Sequence, residues 1–300
     1  MGFDIALSTM WAIGQFSSLA DFFTEGKALG FARFELNHAI DSAMLAGLSL
    51  NGEITSVHEP CPADISAWEL KRRNWLISAP DEENRRQGVL ATRRSIDLAH
   101  ELGVRAVIVH PGQVDINPAL EATLVDLYKA GQADQPEYAR AKERLVAARA
   151  AQAAANMRSV RLSLVELAEY AARRDVRLGL ENRFHYHEIP LPDELDELLG
   201  LGLGETVGYW HDIGHAQVFE HLGFHRHEEW LRCFSGRLIG VHLHDVVGVT
   251  DHLAAGRGQV DWDMVARYLP AGALRTCEFH ASNTPQQVAA GLQWLVAREI

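Results

Sequence analysis

The sequence predicts an α/β protein folded as a closed (β/α)8 barrel, a single domain spanning residues 1–300. Three observations lead there. Eight short apolar runs alternate with helical stretches along the chain, and the stretches between them are long enough for parallel crossovers. Carboxylates and imidazoles recur where those runs end, which is the face on which barrels of this kind carry their sites. Barrels commonly hold roughly 250 residues in one unit, so a length of 300 does not require a second domain.

The elements follow in order. Phe3 to Ser8 reads as the first strand, and Phe16 to Leu29 as an amphipathic helix closed by Gly30, a residue suited to the left-handed position after a helix. Ala32 to Leu36 is the second strand, Ser42 to Leu50 a helix, and Ile54 to Val57 a third strand stopping at His58-Glu59-Pro60. From Pro60 to Pro80 the rhythm lapses into an insertion too long for an ordinary loop, expected as a lid or a substrate-side wall. Asp81 then caps a helix, with Glu82 and Glu83 in its first turn, that runs to Gly103. The dense apolar strand Val104 to Val109 runs into His110-Pro111-Gly112.

Residues from Pro118 to Asp175 read as two outer helices, interrupted near Gly131 to Pro136. Val176 to Leu180 is the fifth strand, ending in Glu181-Asn182-Arg183. After a short helix, Pro192 to Leu199, Thr206 to Trp210 is the sixth, ending in His211-Asp212-Ile213-Gly214-His215. A helix near Glu228 to Phe234 leads to the seventh strand, Leu238 to Val241, which breaks into His242-Leu243-His244-Asp245. Trp262 to Tyr268 is helical, Leu274 to Cys277 is the eighth strand, ending at Glu278, and Pro285 to Ala297 is the closing helix.

A composition of 47% hydrophobic and 23% charged residues is that of an ordinary globular protein with ample core. The formal charge of -12 argues against a broad nucleic-acid or anionic-membrane surface. Cys61, Cys233 and Cys277 are odd in number and widely spaced, so no disulfide framework is expected and a reducing compartment fits. With no leader pattern in Met1 to Trp11 and no long apolar run, the expected location is the cytoplasm.

His58, His110, Glu181, Asp212, His215, His242 and Glu278 all fall at or just past strand ends, which form one ring in a barrel. A lone histidine at a strand end is usually a hydrogen-bonded or surface residue, and Asp212-Ile213-Gly214-His215 taken alone reads as a capped turn. Glu181 and Glu278 resist such readings. Each follows an apolar strand, where a carboxylate is costly unless paired or metal-bound. Together the residues form a mixed oxygen and nitrogen donor set suited to a divalent ion. His185, His187, His211 and His244 are candidates for supporting or substrate contacts.

Leu180-Glu181-Asn182, Asp212-Ile213-Gly214-His215-Ala216, Val241-His242-Leu243-His244-Asp245 and His252-Leu253-Ala254-Ala255-Gly256-Arg257-Gly258 resemble the xylose-isomerase-like TIM-barrel superfamily. That superfamily includes sugar isomerases and epimerases and the endonuclease-IV-type apurinic endonucleases. The resemblance implies one divalent cation (Mn2+, Zn2+, Mg2+ or Co2+) on Glu181, Asp212, His242 and Glu278. In the epimerase branch Glu181 and Glu278 also exchange the proton, and His215 contacts a substrate oxygen. The implied catalytic residues are therefore Glu181, Glu278 and His215, working on a small carbohydrate through a metal-stabilised enediolate.

The endonuclease branch adds His58, His110, His215 and His252 as ligands of up to three zinc ions and implies phosphodiester hydrolysis. Two departures count against it: Thr250-Asp251-His252 places the aspartate one residue later than that branch does, and no basic DNA-contacting loop is evident. The epimerase branch departs too, since its arginine six residues after the metal histidine falls on Gly248. A related lyase or dehydratase, and a catalytically silent ligand-binding barrel, complete the readings. Association into a homo-oligomer through the outer helices is a further expectation.

Overall fold

The computed structural model describes residues 4–50 and 52–300. Eight strands close a parallel barrel: β1 Ile5–Ser8, β2 Arg33–Leu36, β3 Ile54–His58, β4 Ala106–Val109, β5 Arg177–Glu181, β6 Val207–Asp212, β7 Leu238–Leu243 and β8 Leu274–Cys277. Each pairs with its neighbours in sequence, and β8 returns to β1. The expected barrel and strand count are therefore observed. The start assigned to the first strand, at Phe3, lies outside the described residues.

Strand alternation divides the side chains into two populations. Val107, Val109, Leu178, Leu180, Val241 and Leu243 belong to the large core shared with the helices. Ala106, Ile108, Trp210 and Ile239 form a separate cluster within the barrel. Trp210 dominates that cluster, and glycines make room for it. A Cβ on Gly240 would lie 2.4 Å from the indole Cζ3, and one on Gly179 would lie 3.1 Å from the indole. The ring is the floor on which the polar strand ends rest, with His242 5.3 Å above it between centroids.

The strands run past their predicted ends. β6 continues to Asp212 and β7 to Leu243, so Asp212 and His242 are register partners within the sheet rather than loop residues. Pro118 to Asp175 holds helices Ala119–Lys129, Pro136–Ala150 and Ala153–Ala172 where two were expected. The predicted interruption before Pro136 is present. The second break, at Ala151-Gln152, has neither glycine nor proline to announce it. The expected helix Ser42 to Leu50 is reduced to Ser42–Leu45.

The insertion from Pro60 to Pro80 packs against neighbouring elements. It contains the short helix Ala67–Arg72, and Lys71 Nζ pairs with Glu188 Oε1 at 2.9 Å. Leu76 passes so close to Gly88 that a Cβ there would lie 2.4 Å from its backbone. Ser78 Oγ accepts from Gln113 N–H and Asn156 Nδ2 donates to Ser78 O. Among the described residues no helix is long and apolar enough to cross a membrane.

Candidate metal centre

The carboxyl ends of β5 to β8 deliver Glu181, Asp212, His242 and Glu278 to one point, all buried. One ligand atom from each can be chosen so that all lie within 4.8 Å of one another. His242 Nδ1 lies 2.8 Å from Glu181 Oε1, 3.1 Å from Glu278 Oε2 and 3.5 Å from Asp212 Oδ2. Burial alone would discharge this imidazole, but Glu278, Glu35 and the other carboxylates outweigh it and hold the ring charged well above its ordinary range. Conversely, burial would raise the carboxyls of Glu181, Asp212 and Glu278. The facing Arg183 and histidines overcome that and hold all three well below the usual range.

This concentration of buried negative charge is balanced by His242 and Arg183 and is suited to receive a cation. The donor set, three carboxylates and one imidazole, suits a divalent ion. Among the described residues, buried His58 Nδ1 and Glu278 Oε1 also lack a hydrogen-bond partner although they lie 3.4 Å apart. The residues fit a metal.

The remaining candidates fall into two groups beside this one. His110 Nε2 is 2.9 Å and His58 Nε2 3.8 Å from Glu181 Oε2, so Glu181 turns one oxygen to His242 and the other to this pair. On the opposite side Asp212, His215, His244 and His252 gather, with His252 Nε2 3.5 Å from Glu278 Oε2. Asp251 joins them, 3.0 Å from His252 Nδ1 and 3.8 Å from His215 Nε2. Every residue expected as a metal ligand or catalytic group thus lies in one continuous cluster.

Local structure explains the Asp-Ile-Gly-His run. Asp212 is the N-cap of helix Ile213–His221, and its Oδ1 accepts the His215 N–H at 2.7 Å. The capped-turn reading and the ligand reading describe the same residue. Gly214 leaves space for His244, because a Cβ there would lie 2.0 Å from the imidazole. His244 Nδ1 accepts the backbone N–H of His252, so its proton sits on Nε2 and is donated to Asp212 at 2.9 and 3.0 Å. His244 therefore orients Asp212. His215 donates Nδ1–H to the carbonyl of Asn182, and burial lowers its pKa, leaving a neutral ring with Nε2 as an acceptor.

Several residues were not foreseen. Glu35 on β2 is fully buried, accepts from Ser56 Oγ at 2.7 Å and lies 3.2 Å from His242 Nε2. The sign was in the sequence: an acid within the apolar strand Phe34-Glu35-Leu36 carries the same burial cost that singled out Glu181 and Glu278. Arg183 pairs with Glu181 Oε2 and lies 2.7 Å from His110 Nε2. Glu59 accepts the His110 backbone N–H, and burial pushes its carboxyl up to about 7 against that bond. It borders a small cavity of about 40 Å³ shared with Lys71, Trp75, His110 and Glu188.

Three of the four histidines expected as supporting or substrate contacts lie apart from the cluster. His211 projects from the outer face of β6, between the Tyr209 hydroxyl at 2.6 Å and His227 at 3.0 Å. Its alternation with Asp212 requires this. His185 and His187 flank Glu121 instead of the ring. Asp245 organises the following loop by accepting from Val246, Gly256, Val260 and Trp262.

The strand-end ligand set and the closed barrel agree with a family model described as xylose isomerase-like TIM barrel, which matches residues 50–298. The chain belongs to this family. Among solved structures, this xylose isomerase-like barrel is similar to a D-tagatose 3-epimerase-like protein, with 20% identity over 98% of this chain and 96% of that one at a TM-score of 0.68. It is also similar to the IOLI protein with a bound zinc atom, at 14% identity over 100% and 99% with a TM-score of 0.61. A third is a Thermus thermophilus protein soaked with ZnCl2, at 22% identity over 99% of each chain with a TM-score of 0.60. At these identities the likeness concerns the fold. No curated protein sequence matches.

Proposed function

We propose that this protein is a divalent-metal-dependent isomerase or epimerase acting on a sugar, sugar acid or sugar phosphate. The observation that carries the reading is the convergence of Glu181, Asp212, His242 and Glu278 at buried strand ends. The name of the D-tagatose 3-epimerase-like neighbour points the same way, and the zinc in the IOLI structure supports counting Zn2+ with Mn2+, Mg2+ and Co2+ as the ion. A divalent cation on those four residues would supply Lewis-acid stabilisation of negative charge developing on a substrate carbonyl oxygen.

The chain's own residues supply the rest. Glu181 and Glu278 come from strands on either side of β6 and β7, and both carboxyls are held ionised. A carbon centre seated between them has one carboxylate to take its proton and the other to return it. His215, neutral with Nε2 free to accept, would receive a substrate hydroxyl. Glu35 and His244 hold His242 and Asp212 in place.

The second reading is zinc-dependent phosphodiester hydrolysis, favoured by the flanking groups around His58 and His110 and around His215 and His252. Arg183 weighs against it. Its guanidinium already pairs with Glu181 Oε2 and approaches His110 Nε2, where a second ion would share those atoms.

The test is solvent deuterium incorporation into a panel of ketoses, aldoses, sugar acids and their phosphates, with metal content measured on the same samples. Glu181→Gln and Glu278→Gln are each expected to slow exchange by about 10²- to 10⁴-fold. Near-normal exchange in both would overturn the two-carboxylate mechanism. About three zinc ions per chain, together with phosphodiester cleavage, would favour the hydrolase.

A further inference from the structure

Outside the barrel mouth a second group of ligand-type side chains is assembled from distant parts of the sequence. Glu121 lies in the first turn of helix Ala119–Lys129, whereas His185 and His187 lie in the loop after β5. His185 Nδ1 is 3.0 Å from Glu121 Oε1, and His187 Nδ1 is 2.7 Å from Glu121 Oε2. The chain turns tightly here, with the Glu188 N–H donating to the His185 carbonyl at 3.0 Å. That turn presents both imidazoles together, stacked at 5.3 Å between centroids. The three ligand atoms lie within 4.8 Å of one another.

Three further features single this group out from an ordinary surface ion pair. The Glu121 side chain is only 6% exposed, an uncommon state for a carboxylate on an outer helix. Its Oε1 also accepts the Tyr186 backbone N–H at 3.0 Å, which fixes the direction of the carboxylate. The loop itself is pinned: Val114 N–H donates to the His187 carbonyl at 2.8 Å, and the His185 N–H reaches Glu188 Oε2 at 3.3 Å. The donors thus stand ready before any ion arrives, beside a cleft of about 490 Å³ that also touches Asp126, Lys129, Phe184 and Val249.

We infer that Glu121, His185 and His187 form a second divalent transition-metal site, separate from the strand-end cluster, that takes a zinc-class ion. Ligand atoms about 2.0–2.1 Å from a tetrahedral zinc ion stand roughly 3.3 Å apart, a spacing that lies between the N···O contacts of 3.0 and 2.7 Å to the two Glu121 oxygens and the 4.8 Å that bounds the three ligand atoms. Each imidazole binds through Nδ1 with its proton on Nε2, and any second proton is released to solvent. Two imidazoles and one carboxylate leave one tetrahedral position for water from the cleft. The ion fastens helix Ala119–Lys129 to the loop that also carries Arg183 and Glu188, and so stiffens one wall of the mouth. This inference does not depend on the reaction proposed above.

The test uses the full-length protein, stripped with chelator, dialysed and titrated with Zn2+ at mildly alkaline pH. Glu121→Gln and the double variant His185→Gln/His187→Gln are each expected to bind one zinc equivalent fewer than the wild type. His242→Ala is expected to retain the equivalent that those variants lose. Zinc-edge anomalous scattering from wild-type crystals, which requires no variant to fold, is expected to give a peak between the three side chains. Unchanged stoichiometry in both variants, or the absence of that peak from zinc-saturated crystals, would overturn the inference.

Discussion

Asp245→Asn isolates what the loop from β7 to helix Trp262–Tyr268 depends on. The carboxylate is 1% exposed and receives four N–H groups: Val246 and Val260 at 3.0 and 3.1 Å on Oδ1, and Gly256 and Trp262 Nε1 at 2.9 and 3.2 Å on Oδ2. Asparagine offers one oxygen where aspartate offers two. Whichever way the amide turns, its NH2 faces two donors. Hydrogen bonds to a charged group contribute about 1.5–3 kcal/mol each, so two lost bonds amount to about 3–6 kcal/mol before relaxation. Loop adjustment brings the expected effect to about 3 kcal/mol.

Unfolding of a chain this size need not be two-state, so the better assay is native-state hydrogen exchange over residues 254–262. At about 1.4 kcal/mol per decade, those amides are expected to exchange roughly 100-fold faster in the variant. Exchange within about threefold of wild type would refute the idea that Asp245 organises this segment.

Gly240→Ala forces a Cβ to within 2.4 Å of the Trp210 ring and is expected to destabilise by about 1–3 kcal/mol or more in urea titration. Gly236→Ala, where a Cβ meets nothing within 4 Å, serves as the near-neutral control. Arg183→Met removes the guanidinium between Glu181 and His110; the variant is expected to bind one more zinc per chain than wild type, read by elemental analysis. Burial pushes the Glu121 carboxyl up, but bonds from His185 and His187 outweigh it and bring it from 4.5 down to about 2. A depressed carboxyl stabilises the fold above its unfolded value and loses that contribution as pH falls through its folded one. In chelator-treated protein the stability gap between wild type and Glu121→Gln should therefore be largest near about pH 5–6 and shrink toward about pH 2. A gap that grows with acidity would contradict this.

The barrel was legible because its strands are short apolar runs and its polar residues sit where those runs stop. Glu181 and Glu278 stood out for a reason that does not depend on homology, since an acid next to a buried strand must be paired. Glu35 obeys the same rule, yet it lies one residue inside β2, and a search confined to strand ends passes over it. Arg183 and Glu59 lie beside recognised residues, but their side-chain directions depend on loop conformation. The break at Ala151-Gln152 carries no local signal, because alanine and glutamine suit a continuous helix. The pairing of Glu121 with His185 and His187 joins positions more than sixty residues apart, which no periodicity connects.

Whether the strand-end cluster has room for one ion or for several turns on a competition at Glu181. Its Oε1 faces His242, within the four-residue group, and its Oε2 faces His110 and His58. A metal bridging to the second pair would need Oε2, and Arg183 already lies against that oxygen. The guanidinium is charged at every accessible pH and is further held by Glu188, 3.7 Å from its Nε. Displacing it would leave a buried cation to be accommodated elsewhere, a strongly unfavourable step unless substrate brings an anion to receive it. The chain thus places a positive charge of its own between Glu181 and His110, within the group of His58, His110 and Glu181 that a second ion would need. The histidines alone match both branches, and it is this arginine that favours the proposed single-ion reading over the hydrolase.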